Sequence, residues 1–273
     1  MLPPDRRRTF KPLSKGKWNF SFHDELHKSI KAQSRPSSRL LKRISEARTM
    51  PDLTHLIIGS ARRMNAAILF FDLQDFTSTT SRFSNEQTLY ILNLIIRGTT
   101  KIVRHWGGTI EKKTGDGIMA IVGTETRFEE VIAREAIECA MVIQYVMLKN
   151  INPILESNNL PVMGFRMGID MEEVLISRLG IPRNNFITVI GDAANRASAL
   201  QSLAVKNGIC IGENLANSLH PYLNRYLHEG TNPGWKWVKE PTNRPYRFFH
   251  YRCRFPEPRV WARFNFNRED VGF

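Results

Sequence analysis

Residues 66–77 read AAILFFDLQDFT, and the rest of the chain is organised around this stretch. The apolar run Ile68 to Phe71 has the character of a buried strand and stops abruptly at Asp72, after which Gln74, Asp75, Thr77 and Ser78 make a polar turn. A strand thus delivers a carboxylate to its own end. The layout recurs at 111–123, EKKTGDGIMAIVG, where Gly115-Asp116-Gly117 turns the chain into the apolar run Ile118 to Val122. Hard divalent cations take oxygen ligands, commonly one or two carboxylates, and leave other positions to water and phosphate. Asp72 and Asp116 are the candidate pair. Aspartate at a strand end also serves as a turn former or cap, but glycine on both sides of Asp116 lets backbone approach a metal or phosphate closely.

Outward from this pair, the pattern alternates between strand and helix. Before it, Arg39 to Met50 predicts a short helix. After it, Ser84 to Gln87 is a capping box for a long helix through Leu92, Ile95 and Val103 to about Trp106, stopped by Gly107-Gly108. Strands over 109–113 and 117–122 form a hairpin around the Gly-Asp-Gly turn, and a second long helix spans about 127–150. Pro153 and Asn158-Asn159 mark a loop before three strands at 163–170, 174–179 and 186–190; Gly191 then leads a helix over 192–203. The tail adds a strand from Ile209, a short helix and strands near 235–239 and 246–253. The core order is the split βαβ pattern of an α+β, ferredoxin-like domain, an antiparallel sheet with helices on one face.

The 273 residues carry a formal net charge of +13. Residues 1–50 hold thirteen Lys or Arg against four Asp or Glu, so most of the excess lies in a basic extension, read as a solvated arm rather than a nucleic-acid binder because its aromatic interleaving is thin. The division expected is an extension with a short helix at 1–60, a globular domain at 61–255 and a tail at 256–273. Cys139, Cys210 and Cys253 are far apart and read as core thiols, and the histidines show no metal-ligand spacing. No apolar run reaches the roughly 18–20 residues of a membrane span, and no signal peptide is apparent. A soluble, cytoplasmic protein is expected.

The motifs Phe71-Asp72-Leu73-Gln74-Asp75-Phe76-Thr77, Gly115-Asp116-Gly117-Ile118-Met119-Ala120, Arg166-Met167-Gly168-Ile169-Asp170 and Gly191-Asp192-Ala193-Ala194-Asn195 together resemble the class III nucleotidyl cyclases over about residues 66–249. That family closes a nucleoside triphosphate into a 3′,5′-cyclic monophosphate and releases pyrophosphate. The resemblance implies two divalent cations, Mn2+ or Mg2+, held by Asp72, Asp116 and the Leu73 carbonyl. It implies phosphate contacts from the turn carrying Phe76 and Thr77, a ribose contact from Asn195, base contacts from Lys112 and Thr188, and a phosphate-gripping lysine for which Lys239 is the nearest match and Lys236 the alternative. It also implies a head-to-tail homodimer with active sites at the subunit interface.

Two positions depart from the family's pattern. Where it has a transition-state arginine four residues after the asparagine, this chain has Ala199. Arg196 is the adjacent catalytic candidate, although it lies about 100° around the helix; Arg178 and Arg183 are other sources of the charge, and a slow or silent nucleotide-binding protein is the remaining reading. Asp75 stands where the family commonly has glycine.

Lys112 with Thr188 is a pairing seen in adenylate cyclases. The short chain, the Gly180 to Asn185 loop and the Trp-rich stretch ending at Arg247 are more similar to the bacterial pyrimidine cyclases of the Pycsar antiphage system. That similarity implies cyclic UMP or cyclic CMP as product and a downstream effector activated by it. UTP is favoured over CTP because a lysine can donate to O4 of uracil and can accept nothing from the cytosine amino group.

Overall fold

A computed structural model describes residues 44–46, 56–113, 115–123 and 128–252. In order these are β1 (Ile44–Glu46), β2 (Ala61–Gln74), α1 (Phe76–Thr80), α2 (Asn85–His105), β3 (Thr109–Lys113), β4 (Ile118–Val122), α3 (Glu129–Val146), a π-helical turn (Met147–Ile151), α4 (Asn152–Ser157), β5 (Gly164–Ile181) and β6 (Asn184–Ile190). Then follow α5 (Asp192–Leu203), β7 (Gly208–Gly212), α6 (Glu213–Ser218), α7 (Pro221–Asn224), β8 (Leu227–Glu229), β9 (Val238–Lys239), β10 (Arg244–Pro245) and β11 (Phe248–Tyr251). Nine strands make one sheet in the order β3-β4-β2-β5-β7-β11-β8, with β1 beside β2 and β6 beside β5. It is antiparallel except for the β5–β7 and β1–β2 pairs.

Strand β2 lies inside the sheet, and its alternate side chains serve two cores. Ala67, Leu69, Phe71 and Leu73 face the apolar stripes of α2 and α3, whereas Met64, Ala66 and Ile68 pack with Ala193 and Ala197 of α5 and Val189 of β6. Helices therefore cover both faces, not the single face expected. The reason lies in α5: its approach to β5 needs Gly168, where a Cβ would stand 2.1 Å from the Ala197 carbonyl oxygen.

Three local expectations are corrected. Residues 44–46, within the expected helix at 39–50, form a strand parallel to Ala61–Arg63. On that edge β4 pairs only with Ala67 to Phe71, so β1 takes up backbone groups that β4 leaves open. The break expected near 171–173 is absent, and β5 runs unbroken for 18 residues; its polar Glu172 and Glu173 find partners in Arg196 and Arg63. Pro153 lies in a helical run that continues from α3 through the π-helical turn into α4, instead of in a loop.

The Ser84/Gln87 capping box is present at the start of α2. Cys139 and Cys210 are buried free thiols; burial pushes Cys139 up and Cys210 to about 12, while Cys253 lies outside the described residues. Among the described residues no helix is long and apolar enough to cross a membrane. Of the basic extension, only residues 44–46 and 56–60 are described.

Candidate active site

Asp72 lies in β2, two residues before its end, and on the α5 side of the sheet by alternation. Register brings Asp116 to it: Phe71 pairs with Ile118, so the Gly-Asp-Gly turn that precedes β4 meets β2 just beyond Phe71. Gly115 turns there with φ +75°, which favours glycine. Burial raises the Asp72 carboxyl above its ordinary value, and the Asp116 carboxylate raises it further. Arg166, directly opposite Asp72 on β5, and a backbone hydrogen bond at Leu73 pull it back. Two carboxylates close enough to repel form a donor set suited to a hard divalent cation, completed by water, carbonyl and phosphate oxygens. Among the described residues no group of three or more His, Cys, Asp or Glu is arranged to hold a metal ion by itself.

After β2 the chain turns through Asp75, which adopts a left-handed conformation with φ 55°. This explains the family's preference for glycine there, since aspartate reaches that region at a cost of about 1 kcal/mol. The Ser78 hydroxyl donates to the Asp75 carbonyl at 2.9 Å. Phe76 packs its ring on the core, so only its backbone faces the turn, and Thr77 is exposed.

The other candidates lie elsewhere. Asn195 is exposed in the first turn of α5. That helix runs antiparallel to β5: the Ala193 amide donates to Glu172 at 2.6 Å, and near the other end Arg166 reaches the Ser202 carbonyl at 3.5 Å. Asn195 is therefore about 10 Å along the axis from the level of Asp72, at 1.5 Å rise per residue. Thr188 is half-buried in β6 opposite Ser177. Lys112 lies in β3 opposite Met119, and its side chain is outside the described residues. Lys239 lines a cleft of about 350 Å³ with Glu129, Glu172, Glu173 and Asn214, and its Nζ donates to Asn214 Oδ1 at 3.4 Å. Three glutamates share that cleft, two of them paired with Arg196 and Arg63, so it offers a triphosphate little positive charge; Lys236 is exposed.

Arg196 is where the expectation fails. Its side chain is 6% exposed and is committed to Asp170, which is fully buried, through Nε, and to Glu172 through Nη2 at 2.6 Å. Tyr246 donates from its hydroxyl to Asp170 at 2.9 Å and lays its ring under the guanidinium, 4.7 Å from the centroid. An arginine so enclosed is not presented to a substrate as the catalytic donor. Nearby, buried Glu213 is held by Arg244 and Arg247. Sequence reasoning missed these networks because partners such as Asp170 and Tyr246, 76 residues apart, have no local signature. Arg166 was visible only as a motif member, and its place beside Asp72 follows from β2–β5 register. Arg178 meets Asn185 at 3.2 Å and Arg183 is exposed in the β5–β6 turn, leaving no residue assigned in place of the arginine missing at Ala199.

The sequence matches the adenylate and guanylate cyclase catalytic domain over residues 58–234. The chain belongs to that family. A cytidylate cyclase of Escherichia coli is 28% identical over 75% of this chain and 45% of its own, and a uridylate cyclase of Burkholderia cepacia is 27% identical over 60% and 71%. The crystal structure of the adenylyl cyclase CyaB from P. aeruginosa superposes with a TM-score of 0.60 over 71% of this chain and 96% of that one, at 20% identity, a likeness of fold. The chain thus spans less than half the length of the E. coli relative. The fold is that of the class III cyclases, as the four motifs led one to expect.

Proposed function

We propose that this cyclase-family chain converts a pyrimidine nucleoside triphosphate, UTP before CTP, into its 3′,5′-cyclic monophosphate and pyrophosphate. The observation that carries the reading is the pairing of Asp72 with Asp116 at the end of β2. Bound there with the Leu73 carbonyl, two divalent ions, Mg2+ or Mn2+, supply the charge that acidifies the ribose 3′-hydroxyl and neutralises the triphosphate. The turn at Phe76 and Thr77 offers backbone and hydroxyl groups to phosphate, Asn195 of a second copy orients the ribose, and the base contacts are assigned to Lys112 and Thr188. Lys239 is left out because of its acidic cleft. The pyrimidine is supported by the names of the relatives in E. coli and B. cepacia; the Lys112/Thr188 pair favours ATP as the second reading. A cytoplasmic role in Pycsar antiphage defence, with an effector that responds to the cyclic nucleotide, goes with the pyrimidine product.

Purified protein given ATP, GTP, CTP and UTP with Mn2+, followed by mass spectrometry, should yield cyclic UMP or cyclic CMP. Cyclic AMP as the main product would move the chain to the second reading, and no cyclic product would sink both.

A head-to-tail homodimer completes this reading, because Asn195 and Asp72 are two helical turns apart within one chain. The β5–β6 hairpin also leaves Ile181 and Phe186 about 60% exposed, an apolar surface suited to a second copy. Asp72→Asn and Asn195→Ala chains, each impaired alone, should regain turnover when mixed. Failure of the mixture despite mixed dimers would exclude a shared site.

A further inference from the structure

Arg196 follows the ribose asparagine candidate directly, and its burial ties together elements that carry different parts of the site. Arg196 Nε meets Asp170 and Nη2 meets Glu172 at 2.6 Å, and Glu172 also accepts the Ala193 amide at 2.6 Å, so one strand grips the first turn of α5 at two points. On the other side the guanidinium lies 4.7 Å from the Tyr246 ring centroid and 5.9 Å from that of Trp237. The Tyr246 hydroxyl donates to Asp170 and accepts from the Asn214 amide at 2.8 Å, while the Tyr246 carbonyl accepts from Trp235 Nε1 at 2.6 Å. A Cβ on Gly212 would stand 2.3 Å from Asp170 Oδ1, so the last residue of β7 also closes on this carboxylate. The guanidinium is thus enclosed between β5 and the 235–246 segment.

We propose that Arg196 is a positioning residue: paired with Asp170 and Glu172 and stacked on Tyr246, it sets the rotation of α5 that presents Asn195 outward, and it couples α5 to the 235–247 segment. The part concerning Asn195 rests on the cyclase reading; the coupling does not. A helix held by a buried, planar, three-point contact keeps its facing, since five donors in a fixed fork tolerate little rotation. The chain has alanine at position 199, one turn further along the same helix.

Hydrogen exchange read by mass spectrometry on the full chain tests the coupling without turnover. Arg196→Met should speed exchange in 192–199 and in 235–247 together; a change confined to 192–199 overturns it. Because Arg196→Met could fail to fold, Tyr246→Phe carries the same test from the far side: loss of one hydroxyl should speed exchange in 192–199, and no change there overturns the coupling. For positioning, Asn195→Ala must first lower kcat; if it does not, the role given to Asn195 fails, and the positioning claim fails with it. Given that drop, Arg196→Met or Tyr246→Phe should lower kcat by about 10- to 100-fold in the parent and by less than about 2-fold in the Asn195→Ala background. Equal losses in both backgrounds overturn the positioning role and leave only a structural one.

Discussion

Asp72→Asn is expected to lower turnover by about 10³-fold or more and, at pH 7, to make the metal-free chain harder to unfold. The first effect follows from removing one of the two carboxylates proposed to hold the ions, a loss of several kcal/mol at the transition state. The second follows from the environment of Asp72: burial and the neighbouring Asp116 charge both raise its carboxyl above the ordinary value. A carboxyl raised in the folded state favours the neutral form there. As pH climbs past about 4, the unfolded chain ionises first and stability falls, until the folded carboxyl ionises too. The neutral amide escapes that penalty. The gain in thermal midpoint from Asp72→Asn should therefore be present at pH 7 without metal and vanish below about pH 4, and added Mn2+ should stabilise the parent only. Calorimetry at these pH values with and without Mn2+ decides it; an asparagine variant less stable than the metal-free parent at pH 7 would contradict the charge repulsion.

Asp170→Ala should destabilise the chain by about 3–5 kcal/mol, the range found when one partner of a buried ion pair is removed and the other is left without a counter-charge. Asp170 is fully buried. Burial pushes its carboxyl up, while the Arg196 guanidinium, the Met171 amide and the Tyr246 hydroxyl favour the anion. The anion prevails, because a neutral acid would leave the buried guanidinium with only the partly exposed Glu172. Denaturant unfolding measures the loss. Replacing both partners, Asp170→Leu with Arg196→Met, should recover much of it, since apolar groups in place of a buried pair are often nearly neutral. A loss below about 1 kcal/mol in the single variant would mean that water reaches the arginine.

Much of the architecture was legible because its signals are local. The Ser84/Gln87 capping box, the hairpin around Gly115-Asp116-Gly117 and the helix at 192–203 each depend on residues a few positions apart, and each is present. The continuity of β5 through Glu172 and Glu173 was hidden, since two adjacent glutamates look like a break until Arg196 and Arg63 supply their partners. The strand at 44–46 was hidden for a related reason: only the part of β2 that β4 leaves unpaired makes it a strand.

For the site, sequence by itself determined which groups are the candidates: Asp72 and Asp116 stand out because a strand that ends on a carboxylate and a glycine-flanked aspartate are both contiguous patterns. Only the tertiary structure decided what Arg196 does. Its neighbour in sequence is the exposed Asn195, yet successive helical residues point about 100° apart. What lies 100° away is a buried strand bearing Asp170 and Glu172, and there the arginine's charge is consumed.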